Sequence, residues 1–295
     1  MEAWFEMLKK HVVGAWGEEG EQWLVELPNI VDQLTKKWNL KNIKPIEFPS
    51  YNYIAFCDQA PNNPVVLKIS CDEKLIADEY KTHFYFNGHG AIRVFDYDDQ
   101  LHAVLLERAV PGDVLRDLNR NEAIGIYADI VKKLQSCEQN NIESYRHAND
   151  WLNTIDRIKD ERLTQYIPLA KKLISNLNNS PQPQKICHAD LHLENIILHG
   201  DKYLAIDPKG VIGELAFEVS AFDLLTKNEI EDNIDLGSVI QRRIKQLSES
   251  LSCDYKRLLA WFYLRSLISA QWYIEDSGDP SVRLLLLSRL YNNLR

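Results

Sequence analysis

The sequence has no surplus of basic residues. Its 295 residues include 34 Lys and Arg against 43 Asp and Glu, which gives a formal charge of -9 at pH 7. Proteins that bind nucleic acids need an excess of positive charge, so this composition argues against a nucleic acid as partner. The negative charge permits a cationic small molecule as substrate, although surface acidity more often serves solubility.

Paired cysteines and long apolar runs are also absent. The five cysteines include no C-x-x-C pair, so their spacing predicts neither a zinc site nor a disulfide framework. No uncharged stretch approaches the ~20 residues that a membrane-spanning helix needs, and we expect no membrane partner. The first residues, Met1–Trp4, lack the basic and apolar regions of a secretion signal. We therefore expect a protein of the reducing cytoplasm.

Residues 186–210 carry the strongest functional signal in the chain, with the sequence ICHADLHLENIILHGDKYLAIDPKG. Asp190 precedes Asn195 by five residues, and Asp207 follows after another twelve. This spacing suits phosphoryl transfer, in which one carboxylate orients an attacking hydroxyl and an Asn/Asp pair holds magnesium on ATP. It fits the frame of the protein-kinase signature, H-R-D-x-x-x-x-N followed by D-F-G.

The same residues permit a plainer interpretation, a polar turn between two strands. Apolar residues 196–198, a turn at Gly200-Asp201 and the run 203–206 favour a β-hairpin. Such a hairpin brings Asn195 and Asp207 to the same end of two paired strands, as shared metal binding requires. We therefore interpret the segment as a phosphoryl-transfer site.

A site of this kind requires a lysine on an earlier strand and a glutamate on the following helix to orient it. Lys68 ends the apolar run 64–69, and residues 72–80 show the acidic first turn of a helix. Glu79 lies about two turns into that helix and is the predicted partner of Lys68, with Glu73 as the alternative. An ordinary edge-strand lysine is the plainer interpretation of Lys68.

The hydrophobic pattern predicts an α+β chain of two lobes. Residues 1–108 form a small β-sheet lobe that binds the nucleotide, with a helical extension over residues 1–40; residues 109–295 form a mainly helical lobe that carries the catalytic and substrate-binding residues. Strands are predicted at residues 51–57, 65–69, 91–95 and 102–106. Helices of the second lobe are predicted at residues 121–135, 148–176, 230–248, 255–274 and 282–294.

The break between the two patterns lies at residues 107–113, where Pro111-Gly112 predicts a turn. By analogy with other two-lobed nucleotide-binding proteins, the main-chain groups of Glu107 and Ala109 would hold the adenine base. A plain loop from strand to helix explains these residues equally well.

Taken together, these motifs resemble the aminoglycoside phosphotransferases, and within them the streptomycin 6-kinase and hydroxyurea-resistance kinase group. The resemblance rests on HADLHLEN at residues 188–195, IDPKG at 206–210, LLERAVPG at 105–112 and WLVELP at 23–28. It implies a bilobal, protein-kinase-like fold and ATP-dependent phosphorylation of a small-molecule hydroxyl, with an aminoglycoside such as streptomycin as the expected acceptor. On this resemblance Asp190 is the catalytic base, Asn195 and Asp207 bind Mg²⁺, and Lys68 binds the nucleotide phosphates.

Two features depart from the family pattern. The turn expected to cover the phosphates, residues 48–53, contains no glycine, the residue that lets a backbone close over phosphates, and Ser50 is its predicted nucleotide contact. After Gly210 the chain carries Glu214 and Glu218, where the family often has aspartate. These two are predicted substrate contacts, and a solvated helix face is the alternative.

His188 and His192 are predicted structural residues, although their spacing with Asp190 also permits a metal site. The alternative functions are a nucleotide-binding pseudokinase, an interaction module on a kinase scaffold, and a kinase of another alcohol. That alcohol could be a protein hydroxyl, a choline-like alcohol or a sugar. The sequence carries no information on oligomeric state.

Overall fold

The computed structural model describes residues 3–59, 63–138, 144–232 and 235–294. The chain forms two compact units. Unit 1 comprises residues 1–113 with 198–204, and unit 2 comprises residues 114–197 with 205–295. None of the helices in the described ranges is long and apolar enough to cross a membrane.

Unit 1 is built on an antiparallel sheet with the strand order β1-β2-β3-β5-β4. Its strands are β1 (Leu40–Pro45), β2 (Asn52–Gln59), β3 (Asn63–Ser70), β4 (Val94–Asp98) and β5 (Ala103–Glu107). The predicted strands correspond to β2 to β5, although β4 begins later than the run predicted for it. The pattern did not reveal β1, because only Leu40 among its residues is buried.

Helix α1 (Ala3–Lys37) shares a hydrophobic core with this sheet. Its apolar residues recur at helical intervals, and Leu8 and Leu27 are buried in that core. Gly17 interrupts the helix with φ 55° and ψ -128°, a conformation that residues with a side chain rarely adopt. The helical region predicted for residues 1–40 is confirmed, although its first two residues lie outside the described part of the chain.

Helix α2 (Glu73–Phe86) follows β3 directly. The Asp72 side chain caps it by accepting a hydrogen bond from the Leu75 N–H at 2.9 Å. The helix ends at Asn87, which adopts a left-handed conformation with φ 43°. This confirms the helix predicted from the acidic turn after β3.

The remaining strands are β6 (Pro111–Val114), β7 (Arg146–His147), β8 (Lys185–Cys187), β9 (Ile196–His199), β10 (Lys202–Ala205) and β11 (Val211–Gly213). Among the described residues they form two sheets, with the orders β10-β9-β6 and β7-β11-β8. The hairpin predicted after Asn195 is confirmed as β9 and β10.

Part of the segment 107–113, predicted as a break with a turn, forms a strand in the structure. Residues 111–114 form β6, and just before it the Val110 carbonyl accepts a hydrogen bond from the Gly200 N–H at 2.8 Å. This pairing explains why the tip of the hairpin, residues 198–204, belongs to unit 1. It also explains why unit 1 ends at Asp113 and not at the predicted residue 108.

The helices of unit 2 are α3 (Arg120–Gln135), α4 (Ala148–Leu152), α5 (Glu161–Thr164), α6 (Ile167–Asn178), α7 (Leu215–Val219), α8 (Lys227–Glu231), α9 (Leu236–Leu251), α10 (Tyr255–Glu275) and α11 (Ser281–Leu294). The helix predicted for residues 148–176 is wrong as a single element, because Asp160 caps a new helix there, α5, and Pro168 lies in the first turn of α6. The helix predicted for residues 230–248 includes two residues outside the described ranges. Helix α10 contributes the most buried residues to this unit.

Two glycines of α1 make a matched test of its packing. A Cβ at Gly20 would lie 2.7 Å from the Val12 carbonyl oxygen, whereas a Cβ at Gly14 meets nothing within 4 Å. We expect Gly20→Ala to lower the free energy of unfolding by about 1–3 kcal/mol through overpacking. Gly14→Ala should raise it by about 0.5–1 kcal/mol. Urea denaturation measures both, and equal stability of the two variants would contradict the packing described for Gly20.

Candidate active site

In unit 1, Lys68 and Glu79 form a buried ion pair. The Lys68 Nζ lies 2.6 Å from the Glu79 Oε2, and the two residues are only 5% and 6% exposed. Alternation along β3 places Lys68 on the face opposite Leu67, whose side chain belongs to the core shared with α1. Glu73, the alternative partner, has an exposed side chain at the start of α2. The structure thus pairs Lys68 with Glu79.

The glycine-free turn between β1 and β2 is packed against α1. The His11 Nδ1 lies 3.3 Å from the Pro49 carbonyl oxygen, within hydrogen-bond distance. The ring of Tyr51 lies 5.7 Å from that of His11 and 6.0 Å, edge to face, from that of Trp16. Ser50, the predicted nucleotide contact, is exposed at this turn. Aromatic packing from α1 therefore holds a turn that lacks glycine.

The two predicted adenine contacts, Glu107 and Ala109, have different surroundings in the structure. The Glu107 N–H donates to the Arg93 carbonyl at 2.9 Å, so it is not presented to a ligand. Ala109 is only 8% exposed, and its N–H and C=O make no hydrogen bond within the described residues. The main-chain groups of Ala109 are therefore the better placed of the two for a base.

In unit 2, Asp190 lies in the loop that follows β8, and hydrogen bonds of His188 hold this loop in place. The His188 Nε2 donates to the Ile206 carbonyl at 2.7 Å, and its Nδ1 accepts from the Asp190 N–H at 3.3 Å. These bonds require the neutral ring, and burial lowers the pKa of the His188 imidazole from 6.5 to about 4. Both nitrogens are engaged within the protein, so His188 is a structural residue and not a metal ligand.

Asn195 and Asp207 lie at the same end of the hairpin, as predicted. The Ile206 N–H donates to the Asn195 carbonyl at 2.9 Å and so ties the residue before Asp207 to Asn195. The Asn195 Nδ2 donates to the Asp190 carbonyl at 2.9 Å, which leaves its Oδ1 as an acceptor. Asp207 adopts a left-handed conformation with φ 61°, and its carboxylate pairs with Lys209 at 3.0 Å.

These two side chains fit a magnesium ion held on nucleotide phosphates. Such an ion takes one or two carboxylate or amide oxygens from the protein and the rest of its ligands from phosphate and water. Asn195 and Asp207 offer that donor set. The described residues contain no group of three or more His, Cys, Asp or Glu side chains that could hold a metal ion by themselves.

The predicted substrate residues Glu214 and Glu218 are buried, and the solvated-face alternative is wrong. Glu214 precedes α7 and accepts hydrogen bonds from Arg257 and from Trp261. The Glu218 Oε2 accepts from the Ala189 N–H at 2.9 Å, and burial raises the pKa of the Glu218 carboxyl from 4.5 to about 7. Both carboxylates therefore have protein partners.

Sequence reasoning missed Arg265 on α10. Its Nη2 donates to the Ala189 carbonyl at 2.7 Å and lies 3.5 Å from the Asp190 Oδ1. It is the one charged residue in the apolar run 258–270, which is the only signal that the sequence offers for it.

A cavity in unit 2 does not coincide with these residues. It has a volume of about 920 Å³, and Glu214 and Arg257 line it, whereas Asp190, Asn195 and Asp207 do not. The Arg257 guanidinium is satisfied by Glu214 and by the Ser180 carbonyl. We locate the candidate site by the polar geometry around Asp190, because phosphoryl transfer depends on that geometry and not on cavity size.

The buried His188 predicts a loss of stability in acid. Below pH 6.5 the unfolded chain takes up a proton there, whereas the folded protein does so only near pH 4. The free energy of unfolding should fall over this window by up to about 3 kcal/mol. His188→Gln retains an N–H donor for the Ile206 carbonyl and does not titrate, so its urea-denaturation profile should lack this fall. Identical profiles for the wild type and His188→Gln would contradict a neutral, buried His188 ring. Glu218 titrates in both proteins, so its contribution to the pH dependence cancels in the comparison.

The chain matches the sequence model of the aminoglycoside/hydroxyurea antibiotic resistance kinase family over residues 52–277. It is 25% identical over 268 residues to the streptomycin 6-kinase of Streptomyces griseus, covering 88% of this chain and 87% of that protein. It is 27% identical over 229 residues to the streptomycin 3''-kinase of Klebsiella pneumoniae, covering 72% and 81%.

Among solved structures, the fold resembles the aminoglycoside phosphotransferase APH(4)-Ia with a TM-score of 0.63, at 14% identity and covering 91% of this chain and 98% of that one. It also resembles the choline kinase LicA of Streptococcus pneumoniae with a TM-score of 0.64, at 12% identity and covering 90% and 99%. The predicted protein-kinase-like fold, with a β-sheet N-terminal part and a mainly helical remainder, is confirmed. The chain belongs to the aminoglycoside/hydroxyurea antibiotic resistance kinase family and is a phosphotransferase with an alcohol group as acceptor.

Proposed function

We propose that this enzyme transfers the γ-phosphoryl group of ATP to a hydroxyl of an aminoglycoside, with streptomycin as the first candidate. The observation that carries the proposal is the loop at Asp190, where the hairpin brings Asn195 and Asp207 together. The similarity to two streptomycin kinases supports this acceptor. The formal charge of -9 is compatible with a cationic substrate.

Unit 1 supplies the nucleotide-binding residues in this proposal. Lys68 would hold the α- and β-phosphates, and its ion pair with Glu79 at 2.6 Å keeps the ammonium in one position. The main-chain groups of Ala109 would hold the adenine base, and Ser50 would contact the phosphates from the turn braced by α1. ATP as co-substrate and the unpaired cysteines fit a cytoplasmic enzyme.

Unit 2 supplies the reacting residues. Asp190 would accept the hydrogen bond and the proton of the acceptor hydroxyl, which raises the nucleophilicity of the oxygen. Asn195, through its Oδ1, and Asp207 would hold Mg²⁺. When bound, this ion neutralises charge on the transferring phosphoryl group. The bracing of the loop by His188 fixes the backbone at Asp190, and such positioning dominates the rate of phosphoryl transfer.

A panel of hydroxyl acceptors tests the proposed function. Purified protein is incubated with γ-labelled ATP and streptomycin, other aminoglycosides, choline, sugars or a peptide, and labelled product is quantified. We expect transfer to streptomycin, and a kcat lower by about 10²–10⁴ for Asp190→Asn, because the variant lacks the carboxylate that accepts the proton. The affinity of Asp190→Asn for ATP should stay near that of the wild type.

Transfer to another alcohol but to no aminoglycoside would keep the kinase and remove streptomycin from the proposal. Wild-type turnover by Asp190→Asn would refute the role of Asp190. Nucleotide binding without transfer to any acceptor would favour a pseudokinase.

The metal role of Asp207 is tested by calorimetric titration with a non-hydrolysable ATP analogue, with and without Mg²⁺. We expect Asp207→Ala to weaken binding in the presence of Mg²⁺ by about tenfold or more, as for the loss of one charged ligand. Binding without Mg²⁺ should change little. Asp201→Ala, which removes an exposed aspartate from the turn of the same hairpin, is the matched control. Equal Mg²⁺ dependence of the two variants would refute the assignment.

A further inference from the structure

Arg265 contacts the loop that carries Asp190. Its guanidinium Nη2 lies 2.7 Å from the Ala189 carbonyl oxygen and 3.5 Å from the Asp190 Oδ1. The Arg265 side chain is only 17% exposed, although it comes from the middle of α10, 75 residues further along the chain. One partly buried arginine thus reaches both the backbone and the side chain of the loop.

The carboxylate of Asp190 has few other constraints. Its side chain is 33% exposed, and within the described residues Arg265 supplies its one ion pair. The other hydrogen bonds of Asp190 within the described residues are made by its backbone, with His188, His192 and Asn195. A carboxylate held at one oxygen only by Arg265 keeps its second oxygen, Oδ2, available as an acceptor.

The guanidinium itself is fixed by aromatic rings. Its Cζ lies 5.4 Å from the ring centroid of Trp151 and 5.9 Å from that of Phe217. Cation–π contacts of this kind favour a planar guanidinium over a flexible ammonium. The aromatic contacts therefore restrict the position of the Arg265 guanidinium independently of its contact with Asp190.

The side chains of Arg265 and Glu218 bind the backbone of Ala189 from its two ends. Arg265 donates to its carbonyl, and the Glu218 carboxylate accepts from its N–H at 2.9 Å. Ala189 is fully buried and has a φ of 68°, which a residue with a side chain adopts at a cost of about 1–3 kcal/mol. The two charged side chains offset that cost and fix the backbone from which the Asp190 side chain extends.

We propose that Arg265 is a positioning residue for phosphoryl transfer: it holds the Asp190 Oδ1 so that the Oδ2 faces the acceptor hydroxyl. The proposal rests on the proposed role of Asp190 as the base. Arg265 acts through Asp190 and through the Ala189 carbonyl, so its loss affects the chemical step and leaves ATP binding unchanged.

The test compares Arg265→Met and Arg265→Lys with the wild type, using the acceptor that the panel identifies. Arg265→Met should lower kcat by about 10- to 100-fold, as expected for a small displacement of a reacting group, with little change in the KM for ATP. Arg265→Lys keeps the charge but not the planar group, so kcat should recover only in part.

Arg257→Met is the matched control. It removes another partly buried arginine of unit 2, whose side chain is 12% exposed and paired with Glu214. No contact between Arg257 and Asp190 is present among the described residues. Arg257→Met should lower the Tm without lowering kcat. A purely structural role for Arg265 would make Arg265→Met behave in the same way and would overturn the proposal.

A thermodynamic cycle tests the contact without any acceptor. The Tm is measured for Arg265→Met, Asp190→Asn and the double variant. Residues in contact give non-additive effects, so Asp190→Asn should change the Tm differently with and without Arg265. Additive changes would overturn the proposal. If Asp190→Asn is inactive while Arg265→Met keeps the wild-type kcat, the positioning role fails and the proposed function stands. Full activity of Asp190→Asn would overturn both the positioning role and the proposed role of Asp190.

Discussion

The hydrogen bonds of the loop before Asp190 constrain the rest of the candidate site. A loop that holds a carboxylate in place must satisfy its own backbone, because buried N–H and C=O groups without partners are costly. Here His188 binds the Ile206 carbonyl and the Asp190 N–H, and Glu218 accepts from the Ala189 N–H. Through Ile206 the same His188 ties this loop to the end of the hairpin. The position of Asp190 and that of Asp207 therefore depend on one buried, neutral imidazole.

In unit 1, the main constraint is the placement of a charged lysine in an apolar sheet. Alternation along β3 turns Lys68 away from the core, and α2, which starts at the Asp72 cap, brings Glu79 to it. A buried ion pair costs desolvation free energy, so it contributes little net stability by itself. The ion pair instead keeps one positive charge, that of Lys68, in a fixed position. Packing of α1 against Tyr51 fixes the neighbouring turn without a glycine.

Local patterns predicted much of this arrangement and failed where distant contacts decide. The hairpin followed from apolar runs on both sides of Gly200-Asp201, and the spacing placed Asn195 and Asp207 at its end. Strand β6 was taken for a turn, since its pairing comes from a hairpin far along the chain. Glu214 and Glu218 were predicted to contact substrate, with a solvated helix face as the alternative. The sequence did not reveal their protein partners, because Arg257 and Ala189 lie far from them along the chain.

The sequence by itself determined the family, the fold class and the residue types of the phosphoryl-transfer site, because motif spacing and hydrophobic period are local properties. Only the tertiary structure decided which side chains hold those residues. For Lys68 the sequence predicted Glu79 as the partner with Glu73 as the alternative, and the distance between the side chains decided for Glu79. Arg265, an isolated charge in an apolar helix, acquired its relation to Asp190 through the packing of α10 alone. Burial and contact between distant segments set these roles, and no spacing within one segment encodes them.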